Sequence, residues 1–148
     1  MAITNREIWA EAEHTCFEYL AREIGDNSKV KAFEGELPEN AYNCWYFEIQ
    51  GGGEPLDYPF NMNTPGGCGE WLMNAQVVGK FTERQNAQYL GASIRALLPI
   101  EESSLTNIFR FRPRSEPRLE RDLVPDRSGK FINVWVITFE LEVIIKES

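Results

Sequence analysis

Lys130 to Lys146 reads KFINVWVITFELEVIIK, and its apolar side chains alternate: Trp135, Ile137, Phe139, Leu141, Val143 and Ile145. Thr138, Glu140 and Glu142 stand between them, flanked by Val134, Val136 and Ile144. A period of two is that of a β-strand with one buried and one wetter face. The β-branched and aromatic content suits a strand as well. Roughly fifteen residues at ~3.3 Å each reach about 50 Å, beyond the ~3–10 residues of an ordinary strand. Such a strand bends, carries a bulge or runs past its own sheet, and in each case it is the template on which other strands pair.

Working back from this template, NIFRFR at 107–112 sets Ile108, Arg110 and Arg112 against Phe109 and Phe111. If it pairs antiparallel with the last strand, residues 114–129 form a projecting arm. Pro113 and Pro117 disturb that arm, 119–124 reads as a ragged edge strand, and Ser128-Gly129 turns the chain. Further upstream, WLMNAQVVGKF at 71–81 and YNCWYFEIQ at 42–50 are strands, with Trp45, Phe47 and Ile49 on one face of the latter. Gly51-Gly52-Gly53 is expected to end that strand, and 54–70, rich in Pro and Gly, to form a long loop. Residues 30–34 are expected to form a short strand.

Two helices complete the reading. Thr4 and Glu7 make a capping box, followed by an apolar stripe of Ile8, Trp9, Ala12, Cys16, Leu20 and Ile24, with Gly25 as the stop. Thr82 and Gln85 make a second box, followed by Ala87, Leu90, Gly91, Ile94, Leu97 and Leu98, with Pro99 as the stop. Gly91 within that stripe allows close approach to the sheet. The order predicts one α+β domain over 1–148, its two amphipathic helices on one face of a largely antiparallel or mixed sheet.

The length of 148 residues suits one domain with a full core. The net charge of −8 is lopsided. Met1 to Asp57 holds twelve acids and four bases, the remainder eleven of each, and 107–130 seven bases against four acids. Two readings follow: attraction between an acidic and a basic surface on neighbouring copies, or two solvated surfaces. Overall acidity and the lack of interleaved aromatics argue against a dedicated nucleic-acid binder, and the arginines are read as anchors for protein contact. Three widely spaced cysteines without a C-x-x-C exclude a zinc ribbon or redox pair, and Cys16 and Cys44 read as buried thiols of a reducing interior. The opening MAITNREIW resembles no secretory signal, and no apolar run is long enough for a membrane span.

Few residues carry chemistry. His14, the sole histidine, sits among Glu11 and Glu18 and reads as a solvated surface residue rather than a metal ligand. Cys68, in PGGCGE, is a candidate exposed thiol without an identifiable base. The triglycine lacks the remainder of a phosphate loop. Glu140 and Glu142 share one face of the last strand, with Glu48 on another strand; paired carboxylates are open to acid–base work, but a wetted sheet face is the better reading. No catalytic residue, cofactor or metal site is expected.

The whole layout resembles the tail terminator and tail-completion (minor tail) proteins of long-tailed bacteriophages. The resemblance rests on the leading helix, FEGELPENAYNCWYFEI at 33–49, WLMNAQVVGKFTERQNAQYLGASIRALL at 71–98, NIFRFRPRSEPRLERD at 107–122 and VWVITFELEV at 134–143. It implies a non-enzymatic structural protein of a virion or prophage particle, assembled in the bacterial cytoplasm. It also implies a homo-oligomer, a six-membered ring that caps the tail tube and joins the head–neck connector. DNA would pass through such a ring without sequence-specific contact, and no membrane is involved. Arg110, Arg112, Arg114, Arg118, Arg121, Glu140 and Glu142 are the expected interface residues, with loop 54–70 and arm 114–129 as further contacts. The alternatives are a small prophage-encoded nucleic-acid- or protein-binding module, and a small cysteine-dependent enzyme.

Overall fold

The computed structural model describes residues 5–25, 31–36, 42–55, 70–101, 108–126 and 128–146. The chain runs through α1 (Asn5–Ile24), β1 (Lys31–Glu34), β2 (Cys44–Pro55), β3 (Glu70–Phe81), α2 (Arg84–Leu97), β4 (Ile100–Glu101), β5 (Ile108–Pro113), β6 (Arg118–Pro125) and β7 (Phe131–Lys146). The strands make one mixed sheet in the order β1-β2-β3-β7-β5-β4, with β6 also paired to β7. Among the described residues only β1 and β2 pair in parallel. The fold is α+β, as the sequence predicts.

The 16-residue β7 is the axis of the sheet. On one side β3 follows it without a break from Glu70↔Lys146 to Phe81↔Trp135. On the other side β5 and β6 lie end to end, β5 against 141–145 and β6 against 131–138. The amide of Arg114 bonds to the carbonyl of Glu140 at 2.8 Å and bridges the gap between them. The strand also runs past its sheet: Phe131–Val134 lie beyond the end of β3 and pair with the outer half of β6 as a two-stranded ribbon.

The alternation in β7 places Ile137, Phe139, Leu141, Val143 and Ile145 in the core. Ala12, Cys16 and Leu20 of α1 and Ala87, Leu90 and Ile94 of α2 close over them, together with Trp45, Phe47, Met73, Val77 and Phe111. Fully burying each large apolar side chain is favourable by about 1.5–3 kcal/mol, so this one face supplies most of the stabilisation. Phe47 and Phe111 meet edge to face at 5.8 Å across the sheet, a geometry the ring quadrupoles favour. Gly25, with φ +85°, stops α1, as the sequence predicts.

Close contact between α2 and the sheet depends on two glycines. A Cβ at Gly91 would stand 2.8 Å from Ile137 Cδ1, in agreement with the close approach expected there. Gly79 on β3 was not singled out in the sequence. A Cβ there would meet Leu90 Cδ2 and Phe81 Cε2 at 2.6 Å and Ile137 Cγ2 at 3.2 Å.

Several expectations are corrected. The triglycine does not end β2, which continues to Pro55, because two bulges, at Ile49/Gly51 and Gly52/Glu54, let the glycine segment keep pairing with β3. Thr82 does not cap α2: its amide and hydroxyl both donate to Asn43 Oδ1 at 3.1 Å, and Glu83 takes the N-cap position without a side-chain bond. A tertiary partner outcompetes the local cap. Ile108 does not share a face with Arg110, since a bulge between them turns Ile108 into the core beside Phe111. The edge strand expected at 119–124 within the 114–129 arm is present as β6, and it is regular rather than ragged in its pairing with β7. The two-residue strand β4 was not foreseen. Thr4, Cys68 and residues 56–69 of the expected loop lie outside the described residues.

The crowding at the two glycines differs in kind. Gly91→Ala gains helix propensity of about 1 kcal/mol and displaces only the tip of Ile137, so it leaves stability nearly unchanged. Gly79→Ala overpacks against three side chains and is expected to cost about 1–3 kcal/mol. Urea midpoints of the two variants measure this, and equal midpoints would contradict the packing described.

Candidate interaction surface

The face of the sheet away from the helices is built from cross-strand rows. Glu48, Gln76 and Glu140 make one row over β2, β3 and β7. Asn74, Glu142 and Arg112 make the next over β3, β7 and β5. Tyr46, Val78, Thr138 and Arg118 make a third. Within these rows most polar groups are already engaged. Arg112 Nε donates to Glu142, and Gln76 Nε2 donates to Glu48 and, at 3.3 Å, to Tyr46. Arg114 Nη1 donates to Asn74 Oδ1 at 2.8 Å. Opposite charges directly across strands contribute roughly 0.2–1 kcal/mol, so Arg112 and Glu142 serve the fold first.

Of the seven residues expected at an interface, the structure therefore brings Arg112 and Glu142 together and divides the rest, with Arg118 and Glu140 on the face away from the helices and Arg121 on the helix side. Arg110 is half-buried on β5. Glu140 is exposed and, with Ser115, Glu116, Arg118 and Thr138, lines a notch of about 100 Å³ at the break between β5 and β6. That is smaller than the ~300–1,000 Å³ of ligand clefts. Arg118 and Arg121 are exposed on β6, where Arg118 Nε lies 3.7 Å from Glu120 Oε1.

On β6 most side chains are exposed on both faces, while on the β7 half of the ribbon Val134 is buried and Ile132 partly so. Register places Leu119, Arg121, Leu123 and Pro125 on the helix side, opposite Ile137, Trp135, Asn133 and Phe131. The Arg121 guanidinium lies 5.9 Å from the centre of the Trp135 ring. That of Arg84, at the start of α2, lies 5.7 Å from the same ring. Leu123, two residues beyond Arg121, and Phe131, four from Trp135, are 64% and 66% exposed. The turn closing the ribbon is held by Asp126, whose Oδ1 accepts from Ser128 Oγ at 2.7 Å, Ser128 N at 2.8 Å and Lys130 N at 3.0 Å. The Ser128 hydroxyl leads in holding this carboxyl below its usual range, joined by the backbone amides. Sequence reading singled out neither the Trp135 cluster nor the ribbon tip. The cluster depends on α2 reaching the ribbon, and no local pattern encodes that.

On the opposite flank His14 ties α1 to β1. Its Nδ1 lies 3.0 Å from Glu34 Oε1 and its Nε2 3.0 Å from Glu18 Oε1. Beside it Glu13 Oε2 accepts from the Ile49 amide at 2.9 Å. Exposed Glu11, Glu18, Glu23, Glu34 and Glu36 make this flank acidic. Cys16 and Cys44 are buried as expected, and burial raises both thiols above the usual range, with Lys80 partly offsetting this at Cys44. Among the described residues no His, Cys, Asp and Glu converge as metal ligands, and no helix is long and apolar enough to cross a membrane.

No family model matches the chain. No curated protein matches it either. The surface must therefore be read on its own chemistry.

The hydrogen bond and charge of Glu34, aided by Glu18, raise the His14 pKa above 6.5. A raised value in the folded state means stabilisation that is fully present below the unfolded value of about 6.5 and lost as pH rises through the folded one. Proton NMR of this single imidazole should show titration above 6.5, moving down in Glu34→Gln. An unchanged value in that variant would remove Glu34 as the cause.

Proposed function

We propose that the chain is a non-enzymatic assembly protein of the tail terminator type. Copies of it close into a ring that caps a phage or prophage tail tube and meets the head–neck connector. The observation that carries the reading is the β6–β7 ribbon. It is an ordered, regularly paired projection, and among the described residues no strand covers the outer edge of β6. Monomeric proteins usually blunt such an edge. A ribbon on one flank and an acidic flank across the sheet are different surfaces, so a contact between them is heterologous and closes into a ring when the rotation allows.

The role of each expected interface residue follows from its surroundings. Arg118 and Arg121 are available to a neighbour, while Arg112, Arg114 and Glu142 hold partners within the chain. The reading therefore places the contact on the ribbon, with Arg110, Arg112 and Arg114 supporting the sheet beneath. DNA passing through the ring would meet it without sequence-specific contact.

Light scattering after size exclusion, with negative-stain microscopy of the same fractions, tests this. A single closed oligomer with a central opening is expected, six-membered by the resemblance. Monomers across a broad concentration range would overturn the reading.

A further inference from the structure

The helix-side face of the ribbon has an unusual composition. Arg84 and Arg121 both lie over Trp135, and among the described residues no carboxylate is paired with either. Leu123, Pro125 and Phe131 continue the same face as an exposed apolar strip. The acids of β6, Glu120 and Asp122, point to the other face, opposite Val136 and Val134. Two cations share one indole within 6 Å of its centre. A ring gives each a cation–π attraction of roughly 0.5–1 kcal/mol at an exposed site, but neutralises neither. Trp and Arg next to apolar anchors are the composition of the centre of an interface.

The structure also carries the complementary surface. The outward face of α1 presents Glu11 and Glu18, and Glu34 and Glu36 extend it at the end of β1. Glu18 and Glu34 share His14, and Arg22 pairs with Glu23, so with exposed Lys31 included the flank is still net acidic. This flank lies at the far side of the sheet from β6, since β1 is the opposite edge and α1 packs against β1 and β2. One copy cannot bring the two surfaces together, whereas two copies can.

We infer that the Arg84–Arg121–Trp135 cluster, with Leu123 and Phe131, receives the acidic α1 face of a second copy of this chain. The inference rests on the ring reading and specifies its contact: the arginines meet the α1 carboxylates, and the ribbon tip is covered at the same step. Because the two halves of the contact are different surfaces, each can be reversed separately.

The experiment uses two variants of the full chain, Arg84→Glu/Arg121→Glu and Glu11→Lys/Glu18→Lys. All four positions are exposed, and circular dichroism and the thermal midpoint verify that each variant is folded. Each alone juxtaposes like charges and should raise the concentration needed for half-assembly by at least about tenfold. Mixing the two variants, or combining all four changes in one chain, should restore assembly. Leu123→Ser/Phe131→Ser should weaken assembly without rescue by any charge change. If wild type and both charge variants assemble alike, this contact is wrong and the ring reading stands. If each variant is impaired but the mixture is not restored, the arginines meet another partner and the inference fails. If wild type itself never assembles, the ring reading fails and this contact with it.

Discussion

The whole structure depends on β7 being paired along both sides. Its 16 residues serve β3 on one side and β5 and β6 in succession on the other, so three strands are aligned by one. Because side chains alternate, a slip of one residue would turn Phe139, Leu141 and Val143 out of the core and Glu140 and Glu142 into it. The buried face thereby fixes the register, and the register fixes every row on the opposite face. The Arg112–Glu142 pair and the Glu48–Gln76–Glu140 row are consequences of apolar residues on the other side of the same strand.

The length of β7 also produces a part that lies outside the core. Where β3 ends at Phe81, β7 still has four residues left at its start, and β6 pairs with them. A two-stranded ribbon on its own is marginally stable in water. Here it is extended from a sheet already formed and closed by the Asp126 turn. Leu123 and Phe131 are exposed because the helix layer reaches only as far as Trp135, where Arg84 of α2 rests.

Periodic segments were legible in the sequence for this reason. β7, β3, the first half of β2 and both helices show their period locally, and the buried faces follow it. Features set by tertiary competition were not. Thr82 and Gln85 spell a capping box, yet Asn43, nearly forty residues away in the chain, takes the threonine. The triglycine spells a break, yet the pairing of β3 carries β2 through it by bulges. Ile108 reads as the partner of Arg110 in alternation, and a single bulge reverses it. The arginines were legible as a cluster but not by role: Arg112 and Arg121 look alike in NIFRFRPRSEPRLERD, and only the register shows that one faces Glu142 and the other Trp135. His14 was legible as a surface residue but not as a tie, because Glu34 reaches it from another strand.

Amide hydrogen exchange on the full chain, at high and at low concentration, tests the central claim that this sheet ends in a ribbon made to be covered by another copy. Amides of 135–145 should stay protected at both concentrations. Those of 118–125 and 131–134 should exchange quickly when dilute and slow on concentration, together with the α1 face. Ribbon amides as protected in dilute solution as those of the central strand, with no dependence on concentration, would contradict it.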